Sequence, residues 1–138
     1  MMQQTKNMTP SRNVQIFVSV VVVLSVLASG YFTVMGLVSP GGLVPGGDTA
    51  AAATYAAYMS VRSIVLLGAS AWLLAIRAWR PLGIVIALNG AIQLGDAAIG
   101  VVKHQAPQTI GPICFAVALL LAARLLGGLG TMSVRRRD

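Results

Sequence analysis

Four long runs of apolar residues dominate this chain and restrict the environments in which it can fold. A helical stretch of about twenty apolar residues matches the hydrocarbon thickness of a bilayer, roughly 30 Å. Hydrophobic residues make up 57% of the 138 residues and charged residues only 9%, which leaves too little polar surface to coat a water-soluble globule. The sequence therefore predicts an all-α integral membrane protein whose four transmembrane helices occupy residues 14–38, 55–76, 82–102 and 110–129.

Basic residues fall on alternate connections between these predicted spans. The loop 39–54 has no Lys or Arg, and the loop after the third span has only Lys103. By the positive-inside rule, both termini lie in the cytoplasm, with 1–13 and 130–138 as tails of a multi-pass protein of the cytoplasmic membrane. We expect the basic tail to contact anionic lipid headgroups rather than nucleic acid. Seven basic residues support this orientation: Lys6, Arg12, Arg77, Arg80, Arg135, Arg136 and Arg137.

The first apolar run has some features of a cleavable signal peptide. It follows basic residues, and the segment ending at Ala28 has a small-residue cleavage pattern. The run continues to Val38, however, which exceeds the usual apolar core of a signal peptide and reaches spanning length. We expect it to be retained as a span; cleavage would leave three spans and an outside N-terminus.

Turn and cap signals separate the spans. The loop 39–47 is rich in proline and glycine and cannot hold a helix, and Asp48 or Thr49 then offers an N-cap. Pro81 is expected to end the second helix, and Pro112 fits the first turn of the fourth. Because short loops favour neighbouring antiparallel helices, we predict a single domain, an up-down-up-down four-helix bundle. Gly68 and nearby alanines in the second span predict a close helix contact there.

Two spans carry a charge inside the apolar run, Arg62 in the second and Asp96 in the third. Ions in hydrocarbon are costly and usually have a partner or a function. Asn89, Gln93 and Asp96 are spaced four and three residues apart, so they share one helix face. At the helical rise, Arg62 and Asp96 lie about 10 Å and 9 Å below the same side of the membrane. We therefore predict a buried Arg62–Asp96 pair supported by Tyr58 and Gln93.

The residues leave the role of this pair open. It either fixes the register of a closed bundle, or the polar face of the third span lines a pocket for a small molecule or proton. A third alternative is that the two charges do not pair and Arg62 extends outward to the membrane surface. Cys114 has no second cysteine or His cluster for a metal site and is expected to be a buried apolar residue, and His104 stands alone in a loop. No cofactor motif is present, and no second carboxylate or activated nucleophile supports catalysis, so we expect a protein that is not an enzyme.

Four spans with Arg62 and Gly68 in the second and Asp96 in the third resemble the DoxX-like and related families of small four-helix bacterial membrane proteins. The resemblance covers nearly the whole chain. It implies a subunit of a membrane redox complex as one alternative, since a few members are linked to quinone or thiol redox complexes. The residues themselves favour a non-enzymatic small subunit, a homo-oligomer or a partner of another membrane protein. A transporter or small-molecule binder is the other alternative.

The charge pattern generates a topology prediction. A cysteine placed in the loop 41–47, in a chain whose Cys114 is replaced by serine, should react with a membrane-impermeant thiol reagent from the outer face. Accessibility only from the cytoplasmic face would overturn the proposed orientation.

Overall fold

The computed structural model describes residues 9–43 and 46–127 of the chain. All four α-helices found there are long and apolar enough to cross a membrane, so the prediction of an all-helical protein with four helices of spanning length is confirmed. The predicted tails lie mostly outside the described residues. The helices are α1 (Arg12–Val38), α2 (Ala50–Ala75), α3 (Trp79–Val102) and α4 (Ala106–Leu125), with a 3₁₀ turn at Pro40–Gly42 after α1.

The beginning of α2 follows the cap signal in the sequence. The Thr49 hydroxyl accepts a hydrogen bond from the Ala52 amide at 3.3 Å, which satisfies one of the free donors of the first turn. The expectation that Pro81 ends α2 is wrong. The helix ends at Ala75, and Pro81 lies in the first turn of α3, where an amide has no partner within the helix.

A left-handed residue terminates α2. The Arg77 amide donates to the Leu74 carbonyl at 3.0 Å, and the Ala78 amide donates to the Leu73 carbonyl at 2.9 Å. This double hydrogen bond is the Schellman motif, whose left-handed position usually holds glycine. Here it holds Arg77, with φ of 54°, and α3 ends in the same way at His104, with φ of 55°. Neither residue is the glycine that usually marks such a turn, so no turn residue in the sequence indicated where these two helices end.

The backbone of α4 approaches α3 closely one turn before a proline inside α4. Pro112 was expected in the first turn of this helix. The helix begins at Ala106, however, so Pro112 lies in its interior. Pro112 has no amide hydrogen to donate to the Gln108 carbonyl four residues earlier. That carbonyl faces Gly100 of α3, where an added Cβ would lie 2.6 Å from the oxygen. The absence of a side chain at Gly100 therefore lets the two helices approach closely.

The helices pack mainly in two pairs. α3 makes its most extensive contact with α4, and α1 with α2, whereas α2 and α3 share a smaller contact. The apolar core lies between α1, α3 and α4, with α2 partly covering it. Its largest fully buried side chains are Val18, Val22, Leu82, Ile86 and Leu119. We call the end where α1 and α3 begin and α2 ends the Arg12 end, and the opposite end the Leu43 end.

Contacts at the Leu43 end are more polar than in this core. The Ser60 hydroxyl of α2 donates to the Thr33 carbonyl of α1 at 3.1 Å. The Gln108 amide of α4 donates to the Leu43 carbonyl at 3.3 Å, which ties the loop after α1 to the fourth helix. The helix contact expected at Gly68 is not made within the chain, because Gly68 is exposed and an added Cβ would meet nothing within 4 Å.

Two glycines of α3 allow the close contact at the Leu43 end to be tested. Gly100→Ala should lower the free energy of unfolding by about 1–3 kcal/mol, because the new methyl group collides with the backbone of α4. Gly95→Ala is the matched control: nothing lies within 4 Å of its added Cβ, so its stability should be unchanged or higher by up to about 1 kcal/mol. Unfolding in detergent, followed by circular dichroism, measures both. Equal stabilities would contradict the packing described.

Candidate functional site

The polar face predicted on α3 is divided between the inside and the outside of the bundle. Asn89 is buried, Gln93 is half-buried and Asp96 is exposed. The four- and three-residue spacing places the three side chains on one side of the helix, but burial also depends on which neighbouring helix covers each level. α1 and α4 cover Asn89, through Ser25 and Leu119. The face therefore does not line one interior pocket.

Arg62 and Asp96 both lie on the outer surface of the chain. The prediction that the bundle buries them is wrong for the single chain, because it assumed that α2 and α3 would pack face to face. The predicted pairing of Arg62 with Asp96 stays a prediction. The hydrogen bonds of the described residues include none between these two side chains. Tyr58, expected to support the pair, is 71% exposed.

A set of buried polar side chains lies nearer the Arg12 end of the bundle than the two charged residues do. The Asn89 side-chain amide of α3 donates to the Ser25 hydroxyl of α1 at 3.5 Å. Ser70 of α2 lines the same place, and its hydroxyl donates to the Leu66 carbonyl of its own helix at 2.8 Å. The space between these side chains does not admit a water molecule. Three helices thus meet at a closed polar contact.

Sequence reasoning found Asn89 but missed its two serine neighbours. A signal for Ser25 was present, because it lies seven residues after Val18 and three after Val22, both of which are buried. This spacing continues the apolar stripe of α1 toward the core. For Ser70 the corresponding signal is its position three residues after the buried Leu67. Neither serine stands out by chemistry, because small hydroxyl residues occur throughout these helices.

A second polar region lies in an open cleft of about 410 Å³ at the Arg12 end. Arg12 of α1 and Arg77, just after α2, both line it. In the sequence, both arginines indicate only the topology. Because they are 65 positions apart, only the fold could show that they share a cleft. The other lining residues are Gln15, Ile16, Ser19, Val20, Leu74 and Trp79.

Cys114 and His104 lie apart from both polar regions. Cys114 is exposed on α4, so the expectation that it is buried is wrong. His104 occupies the left-handed position after α3 and is exposed. Within residues 9–43 and 46–127, no three His, Cys, Asp or Glu side chains come close enough together to hold a metal ion.

The difference in burial between Asn89 and Gln93 gives a testable prediction. Asn89→Ala should lower the free energy of unfolding by about 1–2 kcal/mol, because it removes a hydrogen bond between helices and leaves a gap in the packing. Gln93→Ala, one turn later on the same face, should cost less than about 0.5 kcal/mol. Denaturant titration in detergent measures both variants. If Gln93→Ala lowered the free energy of unfolding more than Asn89→Ala, the result would favour the predicted pocket face instead.

Comparisons with protein-family models, with curated proteins and with solved structures find no match for this chain. The resemblance to the DoxX-like families therefore stays a prediction.

Proposed function

We propose that the chain is a non-enzymatic integral membrane protein of the cytoplasmic membrane that works as a subunit of an oligomer. Its four helices cross the bilayer up-down-up-down, with both termini in the cytoplasm. The length and apolar character of the helices support insertion. The basic residues at the Arg12 end support the orientation, because Arg12, Arg77 and Arg80 cluster where α1 and α3 begin.

The observation that carries the proposal is the position of Arg62 and Asp96 on the outer surface of two spanning helices. Asp96 lies six residues before the end of α3, or about 9 Å inside the helix end. Charged side chains in spanning helices normally face a bundle interior or a water-filled cavity, because lipid contact is costly. A single copy leaves these two facing outward. An assembly that covers this surface removes the cost.

The charges favour a second copy of the same chain as the covering partner. A twofold interface brings the same surface of both copies together, so each residue of one copy meets a different residue of the other. A surface that holds one cation and one anion is complementary to itself under this symmetry. Arg62 of each copy then faces Asp96 of the other, and Tyr58 lies beside them with its hydroxyl available as a further hydrogen-bonding group.

The transport alternative draws less support from the geometry. A route through one chain would pass the polar side chains between the helices, and the space at Asn89 does not admit water. The cleft at the Arg12 end and the space at Asn89 are not lined by Arg62, Gln93 or Asp96.

Charge reversal tests this assembly. Arg62→Asp leaves two acidic groups on the surface, and Asp96→Arg leaves two basic groups, so each variant alone should be monomeric because like charges repel. Mixed together, the two variants should form heterodimers in which every interfacial pair again joins opposite charges. Differently tagged copies, co-purified in mild detergent and sized by light scattering, measure this.

Lys103→Asp is the control, since it reverses an exposed charge in the loop after α3. It should leave the wild-type dimer unchanged. Monomeric wild type, or variants that stay monomeric when mixed, would refute the twofold interface. A wild type that is monomeric alone but binds a different membrane protein through the same two residues would point to a heteromeric subunit instead.

A further inference from the structure

We propose that the cleft at the Arg12 end binds the headgroup phosphate of an anionic phospholipid from the cytoplasmic leaflet. The proposal rests on the membrane insertion and orientation proposed above, but not on the dimer. The cleft is about 410 Å³ and open to the surface, so a headgroup can enter it from the side. In the proposed orientation it lies at the cytoplasmic boundary of the bilayer, where basic pockets between helices bind anionic headgroups.

Two arginines line the cleft and make it basic. Arg12 comes from the first turn of α1 and Arg77 from the turn between α2 and α3, so they reach the cleft from different parts of the bundle. Among the described residues, no carboxylate lines the cleft. Asp48 and Asp96, the acidic residues within the described ranges, lie near the Leu43 end. A planar guanidinium can donate two parallel hydrogen bonds to the oxygens of a phosphate. Two arginines in one cleft therefore favour a phosphate group as the ligand.

The backbone at Arg77 is fixed before any ligand arrives. Its left-handed conformation is uncommon for a residue with a side chain, and such conformations persist where the surroundings determine them. Hydrogen bonds from Arg77 to Leu74 and from Ala78 to Leu73 hold the turn. Glycine would suit the turn better, yet the chain places a long cation there. An arginine on a preformed turn loses less freedom on binding than one on a mobile tail.

Neighbouring groups shape the rest of the polar end. The Gln15 side-chain amide donates to the Pro10 carbonyl at 2.8 Å, which anchors the segment leading to Arg12. The Ser19 hydroxyl donates to the Gln15 carbonyl at 2.7 Å, so its hydrogen is already used. The indole of Trp79 is half-buried at the edge of the cleft, and its N–H is a donor of the kind found at membrane interfaces. The arginines and this indole are the donors for the phosphate.

The apolar side of the cleft favours a lipid over a free anion. Ile16 and Val20 line it and are 54% and 51% exposed, although they are large apolar residues. The same side of α1 continues through the exposed Leu24 and Leu27 toward the middle of the helix. A ligand that occupies the cleft therefore meets cations at one end and a strip of aliphatic side chains running along the helix. A phosphate carrying acyl chains matches both parts, whereas inorganic phosphate matches only the first.

Native mass spectrometry of the full chain in detergent tests the proposal with phosphatidylglycerol and phosphatidylcholine as probes. The wild type should retain phosphatidylglycerol in preference to phosphatidylcholine. Arg12→Gln with Arg77→Gln should weaken the retention of phosphatidylglycerol by about tenfold or more, because both guanidinium contacts are lost. Arg80→Gln is the matched control: it removes an exposed arginine of the same end that does not line the cleft, and should change retention less than about twofold.

Arg77→Gly keeps the test decisive if the double variant does not fold. Glycine suits the left-handed turn, so this variant should fold at least as well as the wild type while losing one guanidinium. This variant should nevertheless retain less phosphatidylglycerol than the wild type does. Full retention in Arg77→Gly, or equal losses in Arg80→Gln, would overturn the site. Displacement of phosphatidylglycerol by inorganic phosphate at similar concentration would show a free-anion site and overturn the lipid assignment.

The same spectra separate this proposal from the dimer. A dimeric wild type that does not retain phosphatidylglycerol would contradict the lipid site alone. A monomeric protein that still retains phosphatidylglycerol would contradict the proposed dimer alone.

Discussion

A long apolar helix has few polar side chains to bond its backbone groups, and several features of this fold reflect how those groups are satisfied. The turns after α2 and α3 close with paired hydrogen bonds even though Arg77 and His104 must adopt left-handed conformations. Where Pro112 supplies no amide hydrogen, the Gln108 carbonyl lies against a glycine of α3. Six of the nine serine and threonine hydroxyls in the four helices bond a carbonyl one turn earlier: Ser19, Thr33, Thr54, Ser63, Ser70 and Thr109.

This local satisfaction explains why polarity in the sequence is a weak guide to the polar contacts of the fold. A hydroxyl that bonds its own helix no longer needs a partner on another helix, so it can sit in an apolar environment at low cost. Fewer side chains then link separate helices. Ser60 reaches the Thr33 carbonyl, and Asn89 reaches Ser25. They do so because small residues there let the backbones come close, as Gly36 does beside Ser60, where an added Cβ would lie 3.2 Å from the hydroxyl oxygen.

The helices were predictable because each is encoded by a long local pattern. The predicted spans fall on the four observed helices, and Thr49 was one of two residues named as the cap of α2. The errors concern features that no long local pattern encodes. Pro81 was read as a helix end because the Schellman turn at Arg77 has no glycine to mark it. The burial of Arg62 and Asp96 was wrong because the depth of a residue along its helix follows from counting, whereas the helix that covers it depends on tertiary packing.

The two polar surfaces of the molecule are far enough apart to act independently. Arg62 lies twelve residues before Leu74, which lines the cleft, so the two surfaces are separated by about 18 Å along α2. At this distance a copy that covers Arg62 and Asp96 does not have to cover Arg12 and Arg77. α2 buries the smallest share of its residues among the four helices, so it has the most surface left for contacts outside the chain. α2 and the turn that follows it thus bring one arginine to each proposed partner, Arg62 to the second copy and Arg77 to the lipid.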